Sequence, residues 1–245
     1  MSDLYPVPNY GKFINYAHRG ASEYAPENTM ISFDTGVFMG ANGIETDVQR
    51  TRDGVLVLFH DDTLERVTGE KGSVSDYSWD ELKSFRVTKG ELSDRIVRLD
   101  DFLDRFGWRD LTFAIELKVP DTEEDVAALL REFRAEEKAV ITSFSFESVC
   151  RMREIAPRLR CGFLCVRPTD GQLARMLRMG FYEICPKATE ITAEDVEYWH
   201  RLGLNVRAWG VGNTDVMRRA VELETDGMTV NFPDKLTEYI RETRG

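Results

Sequence analysis

Glu45 and Asp47 stand two residues apart in the run Gly43-Ile44-Glu45-Thr46-Asp47-Val48-Gln49-Arg50. On an extended strand that spacing puts both carboxylates on one face. Asp53-Gly54 follows as a hairpin turn signal, and Val55–Phe59 as an apolar return strand. Taken as a two-residue turn, it pairs Arg52 with Val55 and Asp47 with His60, whose Cβ atoms then lie roughly 4.5 to 5.5 Å apart. Glu45, Asp47 and His60 thus share one cluster, which Glu116 joins from the next strand. Carboxylates gathered without a counterion repel, and at least one must take up a proton. A hard dication removes that conflict, and an all-oxygen ligand set suits Mg2+ or Ca2+ rather than zinc. The competing reading is a buried ionic network in which Glu45 and Asp47 pair with Arg19, Arg50 or Lys118.

His18 and His60 are the other titratable groups beside this cluster. An imidazole pair titrating near neutrality supplies one general base and one general acid, and the sequence leaves open which is which. Arg19 and Lys118 are fixed cations suited to an anionic, multi-oxygen group such as a phosphate ester, Arg as a fork and Lys as a point charge. Phe144 and Trp209, at other strand ends, suit an apolar wall for a small alcohol; core packing is the alternative for each. His200, in the helical run Glu197-Tyr198-Trp199-His200-Arg201, reads as a surface residue.

Positioning these side chains requires a frame, and the chain spells one out as strand then helix, repeated. Strand Phe13–His18, helix Glu27–Gly40 and the hairpin come first. Residues 61–97 break the rhythm: they are polar, carry Gly69, Gly72 and Gly90, and hold one short helix at Ser78–Ser84 with a Ser78/Glu81 capping box. A segment of that length reads as a functional cap. Helix Leu99–Phe106 then leads to strand Leu111–Leu117, Thr122–Ala135 to Ala139–Thr142, Phe146–Ile155 to Arg160–Val166, and Asp170–Met179 to Phe181–Cys185. Ala193–Leu202 leads to Asn205–Ala208, Thr214–Glu224 to Gly227–Val230, and helix Pro233–Arg241 closes the pattern. Short apolar strands between amphipathic helices indicate a parallel sheet covered by helices. Leaving out the return strand there are eight, the number for a closed (β/α)8 barrel, whose reactive residues sit at the C-terminal strand ends. An open doubly wound sheet is the alternative, but Arg19-Gly20-Ala21-Ser22-Glu23 is no Gly-rich phosphate fingerprint.

The 245 residues are 42% apolar, enough for one large core, and 43 acidic against 32 basic residues give a formal charge of −11. Such a surface is repelled by phosphate backbones and anionic headgroups, which argues against nucleic-acid and membrane partners. No apolar run reaches the roughly 18 residues of a membrane helix, and the N-terminus lacks the pattern of a signal peptide. Cys150, Cys161, Cys165 and Cys185 form no CxxC pair and read as buried free thiols of a reducing compartment. The expected setting is the cytoplasm.

The ordered blocks His18-Arg19-Gly20, Pro26-Glu27-Asn28-Thr29, Glu45-Thr46-Asp47-Val48, His60-Asp61, Ile115-Glu116-Leu117-Lys118, Thr142-Ser143-Phe144-Ser145, Arg207-Ala208-Trp209 and Asp226–Pro233 resemble the glycerophosphodiester phosphodiesterases. The resemblance runs from residue 13 to about 240. It implies a TIM barrel with an insertion after the His60 block. It also implies one divalent cation on Glu45, Asp47 and Glu116, and acid–base catalysis by His18 and His60. The expected reaction is hydrolysis of a small-molecule glycerophosphodiester, such as glycerophosphocholine or glycerophosphoethanolamine, to glycerol 3-phosphate and an alcohol. The chain departs from the family pattern at Arg66-Val67-Thr68, at Arg98-Leu99-Asp100-Asp101, and at Trp209–Asn213, which is one residue looser than the common Trp-x-Val-Asn. The alternatives are a lipid-active relative that cleaves lysophospholipids and a non-catalytic barrel. Oligomeric state is not encoded in these features.

Overall fold

The protein is described by a computed structural model covering residues 7–244. Strand β1 (Ile14–His18) and helix α1 (Met30–Phe38) lead to β2 (Gly43–Arg50), which turns back into β3 (Leu56–Leu58). Next come α2 (Glu65–Thr68), α3 (Trp79–Leu82), the hairpin of β4 (Arg86–Lys89) with β5 (Leu92–Arg95), and the short β6 (Val97–Arg98). From α4 (Leu99–Phe106) onward strand and helix alternate: β7 (Thr112–Leu117), α5 (Glu123–Glu132), β8 (Ala139–Ser143), α6 (Phe146–Ile155), β9 (Arg160–Cys165) and α7 (Asp170–Met179). Then follow β10 (Glu183–Pro186), α8 (Ala193–Arg201), β11 (Asn205–Val211), α9 (Thr214–Glu222), β12 (Gly227–Val230) and α10 (Pro233–Arg244).

Strands β1, β2 and β7 to β12 pair in parallel in that order, and β12 returns to β1 in register from Ile14 opposite Gly227 to Ala17 opposite Val230. The sheet is therefore the expected closed (β/α)8 barrel. Every residue of β8 is buried, as in a strand covered on both faces. The helices lay their apolar stripes on the outer face of the sheet, where Phe33, Phe102, Phe106 and Phe113 meet edge to face or tilted. Several helices start on a side-chain cap that satisfies orphan N–H groups, including the reciprocal Thr169/Gln172 and Thr192/Asp195 boxes.

Three local features differ from the sequence reading. Helix α1 begins at Met30 rather than Glu27, because Asn28 sits at φ 55° and Thr29 is the N-cap. The β2–β3 hairpin is one residue out: Arg50 lies opposite Leu56 and Val48 opposite Leu58. The Thr51 N–H donates to the Val55 carbonyl at 2.9 Å, so Arg52, Asp53 and Gly54 form a three-residue loop with Gly54 at φ 90°. Asp47 consequently faces Phe59, not His60, and accepts the Phe59 N–H on its carbonyl at 2.9 Å. The β4–β5 hairpin was not anticipated. It is mostly exposed and lacks period-2 patterning.

Residues 61–97 cover a small apolar cluster of their own, built by Leu64, Val67, Val74, Leu82, Val87 and Ile96 against Val57 and Phe59 of the hairpin. On β11 the pairing shifts between Ala208, opposite Met228, and Val211, opposite Val230. Three steps on β11 thus match two on β12, with Gly210 at φ 72°. This bulge accommodates the extra residue of the Trp209–Asn213 run.

Candidate active site

The cluster forms because β2 and β7 run in parallel with Asp47 opposite Glu116, while His18 on β1 lies opposite Glu45. Ligand oxygens of Glu45, Asp47 and Glu116 all lie within 4.8 Å of one another, and all three residues are buried. Asp47 Oδ2 accepts from Asn28 Nδ2 at 2.9 Å, and Asn28 is itself fixed by Thr46 Oγ1, which donates to its Oδ1 at 2.8 Å. Asp47 Oδ1 is buried without a hydrogen-bond partner. Two cations offset part of the charge. Lys118 Nζ donates to Glu116 Oε1 at 2.9 Å and lies 4.0 Å from Asp47 Oδ1; Arg19 Nε lies 3.4 Å from Asp47 Oδ2. Arg50, the third candidate for an ionic network, pairs with Asp125 instead.

That compensation is incomplete. Burial, then repulsion from Asp47 and Glu116, pushes the Glu45 carboxyl well above the ordinary range. Burial, then Asp47, pushes Glu116 up to about 7 despite Lys118. An unsatisfied, desolvated carboxylate oxygen amid a crowded all-oxygen set is what a hard divalent cation relieves, so the residues present fit such an ion.

Both histidines line one cavity of about 220 Å³ with Arg19, Glu45 and Glu116. His18 Nδ1 lies 2.6 Å from the Asn231 amide oxygen, which also accepts from Ser22 Oγ at 3.0 Å. An amide oxygen only accepts, so the Nδ1 carries the proton and the lone pair is at Nε2, 3.8 Å from Glu45 Oε2. Burial, then the adjacent Arg19, lowers His18 to about 4 in the ion-free protein. His60 Nδ1 lies 2.7 Å from Asp61 Oδ1, leaving its Nε2 for the cavity. Asp61 is in turn gripped by Arg66, whose hydrogen bonds hold that carboxyl down at about 2. Arg66 also forks onto Glu27 at 2.9 and 2.7 Å, and Glu27 Oε1 accepts from Arg19 Nη1 at 2.9 Å. Arg19 itself stands at φ 55°, with its N–H donating to Glu45 Oε2 at 3.0 Å.

Across the cavity, Phe144 and Trp209 meet edge to face at 4.9 Å, and Trp209 Nε1 donates to the Cys165 carbonyl at 2.9 Å. His18, Arg19, Glu45, His60, Glu116, Phe144 and Trp209 therefore share one cavity; Asp47 and Lys118 are not among its lining residues and adjoin it through Glu116. His200 lies elsewhere, on Asp226 at 2.7 Å. Sequence reasoning assigned no role to Glu27, Asn28, Asp61, Arg66, Asn231, Thr229 or Arg207. A usable signal existed for Arg207: it lies two before Trp209 on one strand, hence on the same face.

The sequence matches the Glycerophosphoryl diester phosphodiesterase family over residues 18–235. The chain belongs to that family. A glycerophosphodiester phosphodiesterase of Caldanaerobacter subterraneus subsp. tengcongensis is 33% identical over 94% of this chain and 98% of its own length. One from Bacillus altitudinis is 32% identical with the same coverages. Among solved structures, a glycerophosphodiester phosphodiesterase from Agrobacterium tumefaciens superposes with a TM-score of 0.80 at 27% identity, covering 92% of this chain and 99% of that one. An Oleispira antarctica phosphodiesterase, solved in complex with the product sn-glycerol-3-phosphate, shares the fold with a TM-score of 0.83 at 21% identity, covering 93% and 96%. As a member of the glycerophosphoryl diester phosphodiesterase family, the protein is a phosphoric diester hydrolase. Among the described residues no helix is long and apolar enough to cross a membrane.

Proposed function

We propose that this protein hydrolyses small glycerophosphodiesters, with glycerophosphocholine and glycerophosphoethanolamine as representative substrates, to glycerol 3-phosphate and an alcohol. The observation that carries this reading is the buried Glu45–Asp47–Glu116 cluster, with Asp47 Oδ1 unsatisfied, beside two histidines anchored through Nδ1. In this reading Glu45, Asp47 and Glu116 hold one Mg2+ or Ca2+. When bound, the cation polarises a phosphoryl oxygen and offsets the charge that grows there. Arg19 and Lys118 share that charge and keep the diester oriented. One histidine takes the proton of the attacking group as the new P–O bond forms, that group being either water or a glycerol hydroxyl that closes a cyclic phosphate for water to open. The other hands a proton to the departing alkoxide as the ester P–O bond breaks. An alkoxide whose parent alcohol has a pKa of about 15 leaves poorly, so that donation contributes on the order of 10²- to 10⁴-fold. Phe144 and Trp209 form the apolar wall beside the alcohol. The chain acts as one catalytic barrel with residues 61–97 as an inserted cap, in the cytoplasm, on a soluble substrate and without nucleic-acid or membrane partners.

The test is release of glycerol 3-phosphate from several glycerophosphodiesters, set beside release of choline from glycerophosphocholine and from a long-chain lysophosphatidylcholine. Each is assayed after chelation and after adding back Mg2+ or Ca2+. Turnover of the small diesters should vanish on chelation and return with metal. His18→Ala and His60→Ala should each lower kcat by at least about 100-fold. Full activity in exhaustively chelated protein, or near-normal turnover in either variant, overturns the mechanism; exclusive cleavage of the lyso-lipid overturns the substrate class.

A further inference from the structure

Beneath the aromatic wall the cavity ends on a cation that the mechanism above does not use. Arg207 is 2% exposed, yet its side chain lines the cavity with Thr229 and Leu164. A guanidinium so deeply placed needs an anion, and β10 provides one: Arg207 Nε donates to Glu183 Oε1 at 2.9 Å. Arg207 Nη2 donates to Cys185 Sγ at 3.3 Å, and that thiol donates to the same Glu183 oxygen at 3.2 Å. The Tyr16 ring lies 5.2 Å below the guanidinium carbon. Room for the glutamate comes from β9, because a Cβ at Gly162 would sit 2.5 Å from Glu183 Cγ. The guanidinium is thereby fixed from the side and beneath.

One donor is left over. Arg207 Nη1 has no hydrogen-bond partner among the described residues, and neither has the Thr229 hydroxyl on the neighbouring strand. Neither atom is sealed away as a buried orphan, so both open onto the cavity. The charge of Arg207 is already matched by Glu183. What remains is a directed hydrogen-bond donor beside a hydroxyl, a pair suited to neutral hydroxyl groups more than to a second anion.

We infer that Arg207 and Thr229 form a floor subsite that reads the free hydroxyls of the glycerol arm, with Glu183, Cys185 and Gly162 as positioning residues. This rests on the diesterase reading above and adds to it which arm of the substrate is enclosed. A cavity of about 220 Å³ with polar atoms at its base accommodates the constant, compact polyol. The variable alcohol then leaves through the open side. Sites built to hydrogen-bond a hydroxyl discriminate strongly against an analogue lacking it, because their own polar atoms are left unpaired.

The test is calorimetric binding of sn-glycerol 3-phosphate and of n-propyl phosphate to the metal-supplemented protein. The two ligands share the phosphate and the three-carbon chain and differ in the hydroxyls. Wild type should bind glycerol 3-phosphate at least about tenfold more tightly. Thr229→Val should remove most of that preference and leave n-propyl phosphate binding within about threefold. The double variant Arg207→Met/Glu183→Gln, which leaves no unpaired buried charge, should do the same, with a thermal melt confirming that it folds. Equal affinity for both ligands in wild type, or parallel loss of both ligands in Thr229→Val, overturns the subsite. If wild type binds neither ligand and releases no glycerol 3-phosphate from glycerophosphoethanolamine, the diesterase reading itself fails, which is a separate outcome.

Discussion

With Glu45, Asp47 and Glu116 as the proposed ligands, cation binding is a competition with a proton at Glu116. In the ion-free protein its carboxyl is raised to about 7, chiefly by burial and then by Asp47, and Glu45 is shifted in the same direction. A carboxyl with a raised pKa holds its proton below that pH, and a cation must displace it. Apparent affinity should therefore fall as pH drops through about 7. Near pH 6, titrations in buffers of different ionisation heat should show protons released; a flat affinity between about pH 5.5 and 8 contradicts the shift. The same sign applies to folding without metal: stability should increase as pH falls through 7 toward the ordinary carboxyl range, because the folded chain then binds the proton that the unfolded chain does not. At this scale the sequence was most legible where chemistry is concentrated at strand ends. Glu45, Asp47, Glu116 and the two histidines could be read from spacing and residue type. Arg207 was legible only in part: its spacing to Trp209 puts it on the cavity face, but its partner Glu183 lies on another strand, and only the closed barrel shows that the pair is buried rather than solvated.

Elements determine how firmly these groups are aimed. His60 leaves the barrel sheet just beyond β3, and its ring is oriented through Asp61 and then Arg66 on α2, which forks onto Glu27 in the loop before α1. The strap thus ties the inserted segment to the first β/α loop. Arg66→Ala should lower kcat by about tenfold or more while glycerol 3-phosphate binding changes little, since the ring loses its orientation and the phosphate site keeps its ligands. Arg66→Lys should rescue little of the loss, because a point charge cannot hold two carboxylates in a planar fork. A comparable drop in ligand affinity would place Arg66 in substrate binding instead. The hairpin register shows why element detail outran the sequence. Asp-Gly is compatible with a two-residue turn and with a three-residue loop ending in a left-handed glycine, and only the Thr51–Val55 bond distinguishes them. The β4–β5 pair escaped for the opposite reason: mostly exposed, with Val87 its one buried side chain, it carries no alternation to read. At β11, by contrast, the additional residue was visible as a looser spacing and is taken up by the bulge at Gly210.

At the scale of the whole molecule the alternation of apolar strands and amphipathic helices was enough to identify the barrel, since burial on both faces leaves a pattern that solvent cannot blur. A cation that binds the folded form alone should stabilise all of it, by about 2.7 kcal/mol at one hundred times its Kd. A melt in Mg2+ or Ca2+ should show this as a higher Tm, abolished in Glu45→Gln; an unchanged Tm in wild type would count against a folded-state cation site.

Barrel closure also has a consequence in time. His18 is oriented by Asn231, 213 residues further along, and β1 finds its second neighbour only in β12. A nascent chain synthesised as far as residue 226 would carry both imidazoles and the acidic cluster yet have no last stave, so its first strand would keep a raw edge and His18 a loosely hung ring. Hydrolysis should therefore switch on only once β12 has cleared the ribosome and closed on β1. Stalled chains arrested before β12 should be inert toward the diester.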